Sequence, residues 1–436
     1  MTSLSGRIGQ LEQSARALVA IKMANVALTM VWGFALTFVF VRVLPLGEFR
    51  AFLLLVAFAN FTVSAEFGLT NIAYARLRRW WLGAKDGDAF DSGEAVVLLW
   101  ILGALILTGL AVLAAVLALG VIRTHMPALF LTFFLVACMN VPALLAKRIL
   151  AAMDCNLIWE ATDFARRSVS LSLLGATLAG LAIETSVLLQ LAVSIAALIF
   201  ALGLAAHKLG MAKRGWFSPA GGMALVRAFY LKDLGLSAAL TLSEIAAYNS
   251  PYFTIALVTH DVRPMLLFDF AFKMSRAFSL AMRALVEAAL PRMTAAFYEH
   301  RVERLRQLIV RALAAGMAGA LLGVAGLVSL GGFAVHVLFD GKASIGMVQA
   351  ALIGVMVAAL AVICVSVYLQ GALGRFGRLL RQSLPFLAGS LACAPLAAWL
   401  PGDYATGFLG LYALVFVGTA ALHGASLRQL MREARA

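Results

Sequence analysis

"AVVLLWILGALILTGLAVLAAVLALGV", residues 95–121, runs for 27 residues without one charged side chain. About 20 apolar residues in a helix cross the roughly 30 Å hydrocarbon layer of a bilayer, so this stretch is long enough to span it. A second run, "ALVAIKMANVALTMVWGFALTFVFV" (17–41), is interrupted only by Lys22. Over all 436 residues 63% are apolar and 13% charged, where soluble domains carry about half and about a quarter. The runs are continuous, without period-2 alternation, which selects helices over a barrel. The chain reads as an all-α integral membrane protein.

Twelve transmembrane helices are predicted, at roughly 18–41, 49–73, 95–120, 127–149, 167–183, 187–206, 233–258, 264–289, 308–338, 343–370, 383–400 and 405–427. They form two six-helix lobes, 1–206 and 233–436, joined by a basic cytoplasmic linker, 207–232. The residues before 17 are polar and lead into a full-length span with no small-residue cleavage site, so no removable signal peptide is expected. Of 35 Lys and Arg, 26 lie on the side of both termini and the longer loops, five on the other (Arg42, Arg50, Arg123, Arg263, Lys342) and four inside spans (Lys22, Lys273, Arg276, Arg283). Positive excess marks the cytoplasmic face, which places both termini there. That asymmetry largely accounts for the net charge of +14. It implies a basic surface beside anionic membrane lipids and no nucleic-acid partner. The halves are faintly alike: "ILAAMDCNLIWEAT" (149–162) can be laid on "YLQGALGRFGRLLR" (368–381). An even number of spans per half makes such repeats parallel, and substrate sites of repeat-built transporters lie between the halves near the midplane.

One span departs from the apolar pattern. "FDFAFKMSRAFSLAMRALVEAAL" (268–290) carries Asp269, Lys273, Arg276, Arg283 and Glu287. At 100° per residue these fall within about 80° of arc, on one face. A charge against lipid costs roughly 2.5–3.5 kcal/mol even on the mildest scale, so this face meets other helices or water. The preceding span presents Ser237, Thr241, Glu244, Tyr248 and Tyr252 at the same spacing, and Pro251 is expected to bend its outer end. Glu244 and Arg276 both lie near the middle of antiparallel spans, within reach of pairing. In the first half, Lys22, Asn25 and Thr29 mark one face of span one. Two readings stand. In one, the charges pair off as filler, Asp269 with Lys273, Arg283 with Glu287 and Glu244 with Arg276. In the other, they line a cationic chamber whose acids hold the basic groups while the site is empty. Arginine grips a diphosphate bidentately, and lysine serves as a point charge.

Absent motifs narrow the chemistry. No Walker G-x-x-x-x-G-K-[ST] and no G-x-S-x-G elbow occurs, so ATP hydrolysis and serine hydrolysis lack their parts. The six histidines stand without metal-ligand spacing, and the four cysteines form no disulfide or zinc pattern. "DGDAFD" (86–91) lacks the pattern of a calcium loop and reads as solvated. No cofactor or metal is expected. Gly316, Gly319, Gly323 and Gly326 read as a ladder for close helix packing.

"FVRVLPLGEFRAFLLLVAFANFTVSAEFGLTNIAYARL" (40–77) resembles the N-terminal signature of polysaccharide-unit flippases of the multidrug/oligosaccharidyl-lipid/polysaccharide exporter superfamily. Arg42, Leu44, Glu48 and Phe49 match the turn after span one, and Glu66, Gly68 and Leu69 the end of span two; Pro45 stands where a glycine is usual, and Arg50 follows Glu-Phe. "AFKMSRAFSLAMRALVEAALPRMTAAF" (271–297) resembles the family's span eight and its proline exit at Pro291. The resemblance implies a non-enzymatic carrier in the bacterial inner membrane. It would move an oligosaccharide on a polyprenyl diphosphate from the cytoplasmic to the periplasmic leaflet by alternating access, alongside other polysaccharide-assembly proteins. It implies binding roles for Arg276, Arg283, Lys273 and Lys22, with Glu244, Asp269 and Glu287 organising the site or coupling it to an ion. A cation-coupled drug antiporter of the same superfamily is the alternative, though such a site should be acidic where this span is net positive. A polysaccharide polymerase or ligase is a further alternative, disfavoured because the outer loops are short.

Overall fold

In hydrocarbon a backbone segment satisfies its N–H and C=O groups only as a helix or a closed barrel. In the computed structural model, which describes residues 15–81, 90–210 and 220–435, every regular element is helical. The helices are α1 (Ala15–Val43), α2 (Leu46–Ser64), α3 (Leu69–Trp81), α4 (Ser92–Ala118), α5 (Pro127–Cys138), α6 (Asn140–Ala152), α7 (Asn156–Leu178), α8 (Ile183–Lys208), α9 (Ala220–Phe229), α10 (Leu231–Val258), α11 (Arg263–Tyr298), α12 (Val302–Leu338), α13 (Met347–Ala372), α14 (Phe376–Ala397) and α15 (Tyr404–Glu433). They divide into unit 1, Met1–Ala238, and unit 2, Ala239–Ala436.

Eight passages are long and apolar enough to cross a membrane: α1, α2, α4, α5 with α6, α8, α12, α13 and α15. The other four, α7, α10, α11 and α14, carry interior charge or proline, and the shortest of them, α14, has 22 residues. At 1.5 Å per residue that is about 33 Å, still a bilayer's thickness. Each unit therefore makes six passages. In unit 1, α2 runs on into α3 across a break at Phe67 (φ 50°) and Gly68 (φ 81°). The Glu66 carboxylate accepts the Thr70 N–H there at 3.2 Å.

The connection between spans four and five differs from expectation. The helix that carries span five, α7, begins at Asn156, ahead of the predicted start of the span near 167, after a three-residue turn whose Asp154 has φ 61°. The polar run 156–167 stays helical because its charges find partners inside unit 1, as described below. Likewise α14 starts at Phe376 rather than 383, and Glu184 and Ser186 lie in the first turn of α8. The repeat is visible in these inner turns. Cys155 N donates to Leu150 O at 2.9 Å, and Arg375 N donates to Gln370 O at 2.9 Å, following Gly374 at φ 71°. Cys155 thus answers to Arg375, one residue later in unit 2 than the sequence alignment places it.

Within unit 1, Phe40 stacks on Phe52 with ring centroids 4.2 Å apart, and Phe133 meets Phe52 edge-on at 4.9 Å. Glu48 is a structural tie: it accepts Thr124 Oγ1 at 2.5 Å and the His125 N–H at 2.7 Å, holding the outer loop to α2. Asp91 caps α4 by accepting the Gly93 N–H at 2.7 Å. Glu94 on α4 is fully buried and takes Arg76 bidentately, both bonds at 2.8 Å, with Tyr230 Oη at 3.0 Å. Beside this knot α9 lies so close that a Cβ on Gly222 would fall 2.2 Å from Gly93 O.

The glycine ladder of α12 packs unevenly. A Cβ on Gly316 would meet Met282 at 2.8 Å, while nothing lies within 4 Å of Gly323 or Gly326. A tighter fit in unit 2 is at Gly354, where a Cβ would fall 2.4 Å from Val324. All four cysteines are buried as free thiols.

Candidate functional site

The charged face of α11 begins with a closed ion pair. Asp269, 1% exposed, pairs with Lys273 one turn on and accepts Tyr252 Oη of α10 at 2.8 Å. Two cationic or donating neighbours satisfy this carboxylate, as a buried charge requires. One turn further, Arg276 is exposed, its guanidinium 5.8 Å from the Phe272 ring centroid. Arg283, two turns beyond, is also exposed. Glu287 lies in α11, but its side chain is outside the described residues. Lys22 is exposed on α1 in unit 1. The structure therefore joins Asp269 to Lys273 and leaves the two guanidinium positions on the accessible face.

Glu244 does not join them. Among the described residues it forms no ion pair with Arg276, contrary to the pairing that their depth in the membrane suggested. It lines a small cavity of about 30 Å³ inside unit 2 with Tyr248, Ser383, Phe386, Thr419 and His423. That is room for about one or two waters. Ser243, its neighbour on α10, shares a hydrogen bond with Ser383 Oγ at 2.6 Å. His423 is buried, with Nδ1 2.9 Å from Ser366 Oγ. Aromatic rings wall this interior: Tyr248 meets Phe386 at 5.1 Å, and Phe386 meets Phe416 at 5.1 Å, both edge-on. A lone histidine in an apolar span gave no signal of this neighbourhood. No group of three metal-binding side chains occurs among the described residues.

Sequence reasoning also missed a charged cluster in unit 1. On α7, Glu160, Asp163, Arg166 and Arg167 share one side. Asp163 accepts Arg166 at 2.7 Å and Arg167 at 2.8 Å, and Arg167 also donates to Thr29 of α1 at 2.8 Å. Glu160 accepts Asn25 of α1 at 2.7 Å and pairs with Lys147 of α6 at 3.0 Å. Asn25 and Thr29 were read as one polar face of α1, and this cluster is what that face meets. The signal was present in the three-and-four spacing of the α7 charges, the same spacing that exposed the α11 stripe.

No family model and no curated protein matches the chain. Its backbone matches solved structures. An outward-facing multidrug resistance MATE family transporter of the MOP superfamily superposes with TM-score 0.68 at 16% identity, covering 98% of both chains. An inward-facing structure of such a transporter gives 0.67 at 13% identity, covering 96% of this chain and 98% of that one. A MOP superfamily transporter from Pyrococcus furiosus, described as having a binding pocket of reverse polarity, gives 0.59 at 11% identity over 96% of each. The chain has the fold of these transporters, twelve transmembrane helices in two lobes.

Proposed function

We propose that this chain is a flippase that carries a polyprenyl-diphosphate-linked oligosaccharide across the bacterial inner membrane by alternating access. One observation carries the reading. The acid at the start of the α11 face is paired with Lys273 and Tyr252, and the next charge along it, Arg276, is an exposed guanidinium. Guanidinium groups in a membrane-spanning helix avoid lipid, and a diphosphate is the ligand their fork geometry grips best. Lys273 would add a point charge. The fold does not set the sign of the cargo, since a neighbour of the same fold is described as having reverse pocket polarity. An inside-negative potential favours outward movement of an anion by about 2.3 kcal/mol per charge per 100 mV.

A second reading, cation-coupled antiport of drugs, is favoured by Glu244, an acid on an aromatic-walled cavity inside unit 2. In the flippase reading the same acid organises the site or couples transport to a cation. The test is Arg276→Ala in cells lacking the unaltered protein, followed by mass spectrometry of lipid-linked intermediates. Loss of surface polymer with accumulation of one complete lipid-linked repeat unit, in cells where the variant still inserts, is the expected result. Normal polymer output overturns the assignment, and a normal intermediate pool with raised drug sensitivity transfers it to the antiporter. Glu244→Gln is expected to lower transport less than Arg276→Ala; equal, complete loss would make Glu244 the coupling group.

A further inference from the structure

We propose that unit 1 carries an anion-binding site of its own, in which Arg166 and Arg167 of α7 and Lys147 of α6 take a diphosphate group that displaces Asp163. The inference rests on the anionic cargo proposed above and adds a second place on the chain to hold it.

The charge count is the first argument. Three cationic side chains meet two carboxylates, Asp163 and Glu160. Asp163 is shared between both guanidiniums: Oδ1 accepts Arg166 Nε at 3.1 Å and Nη2 at 2.7 Å, and Oδ2 accepts Arg167 Nε at 2.8 Å. One carboxylate cannot saturate two forks that together offer ten N–H donors. Arg166 Nη2 turns to Asn140 Oδ1 at 3.2 Å and Arg167 Nη1 to Thr29 Oγ1 at 2.8 Å, both neutral acceptors. A diphosphate has more acceptor oxygens and more charge than Asp163, so it suits this pair better than the group now holding it.

Access is the second argument. The side chains of Lys147, Arg167 and Arg166 are 36%, 25% and 10% exposed, so the cluster opens on one side while Asp163 and Glu160 stay buried. Exposed Lys22 lies one turn before Asn25 on α1, on the side that meets the cluster. Economy is the third. A cluster whose task was only to pin α1 to α7 would be replaced at lower cost by apolar packing. This one keeps surplus positive charge on side chains that are partly exposed.

The experiment measures binding of inorganic pyrophosphate and of farnesyl diphosphate to the purified full-length protein in detergent. The variants are Arg166→Gln with Arg167→Gln, Asp163→Asn, and Arg276→Gln. The double arginine variant is expected to weaken binding about tenfold or more. Asp163→Asn is expected to tighten binding about threefold or more, even if it lowers the melting temperature, because it removes the internal competitor. A scaffold could not give that opposite pair of signs. Response to both probes assigns the site to the diphosphate itself, and response to farnesyl diphosphate alone assigns it to a lipid headgroup. Unchanged affinity in the folded double variant, or weaker binding by Asp163→Asn, overturns the inference. If only Arg276→Gln loses binding, the unit 1 site falls and the flippase reading stands. If the unaltered protein binds neither probe, both fall.

Discussion

Asp403 precedes α15 and collects the polar groups around it: Thr406 donates from Oγ1 at 2.6 Å and from N–H at 3.0 Å, and Gln349 from Nε2 at 3.3 Å. The hydrogen bond from the Thr406 hydroxyl is the chief reason its carboxyl is held below the ordinary range, with Arg263 3.8 Å away assisting. A depressed folded value adds stability above the ordinary aspartate pKa of about 3.9, and that stability is lost as pH falls through the folded value. Melting curves in detergent should therefore show the unaltered protein above Asp403→Asn at pH 7, with the gap closing below about pH 4. A gap that stays constant with pH would show that the ionised form is not what stabilises. Asp269 illustrates the opposite fate of an acid. Placed one turn before Lys273 and beneath Tyr252, it is neutralised within its own unit. Arg276, one turn beyond Lys273, is the next charge on the face and is exposed.

At the scale of elements, α9 shows what lies beyond a local pattern. Residues 207–232 read as a basic connection, yet Ala220–Phe229 is a helix seated on the N-terminus of α4. Its seat depends on Gly93, more than a hundred residues earlier, so no local window could reveal it. Gly222→Val should push α9 off Gly93 and cost roughly 1–3 kcal/mol, as overpacking does. Tyr230→Phe should cost about 0.5–1.5 kcal/mol, one hydrogen bond, since Glu94 keeps Arg76. Comparison of melting midpoints decides, and equal effects would mean that the glycine contact is slack. The spans were legible for the converse reason: lipid admits only unbroken helix, so an apolar run reports itself. The start of the helix carrying span five was not, because Glu160, Asp163, Arg166 and Arg167 read as polar connection until α1 and α6 supply their partners. The α11 stripe was legible as a stripe, but the place of Glu244 was not, since its surroundings come from α13, α14 and α15.

At the scale of the whole molecule, six passages per unit return the chain to the side it started from, and the excess of Lys and Arg assigns that side to the cytoplasm. A fluorescent protein fused after Ala436 should glow and an alkaline phosphatase fused there should stay inactive, whereas phosphatase inserted after Lys342 should be active. Active phosphatase at the C-terminus would reverse the orientation. The inner turns at Asp154 and Gly374 carry the repeat with the same hydrogen bond on each. The two units then diverge in what they keep inside, a salt-bridged cluster in one and an acid-lined cavity in the other. The four cysteines, Cys138, Cys155, Cys364 and Cys393, sit within the packed interior. A maleimide added to the folded protein finds no native target on its surface. Any position can then be tagged by one introduced cysteine without first removing the others, which makes the chain its own silent background for following its motions.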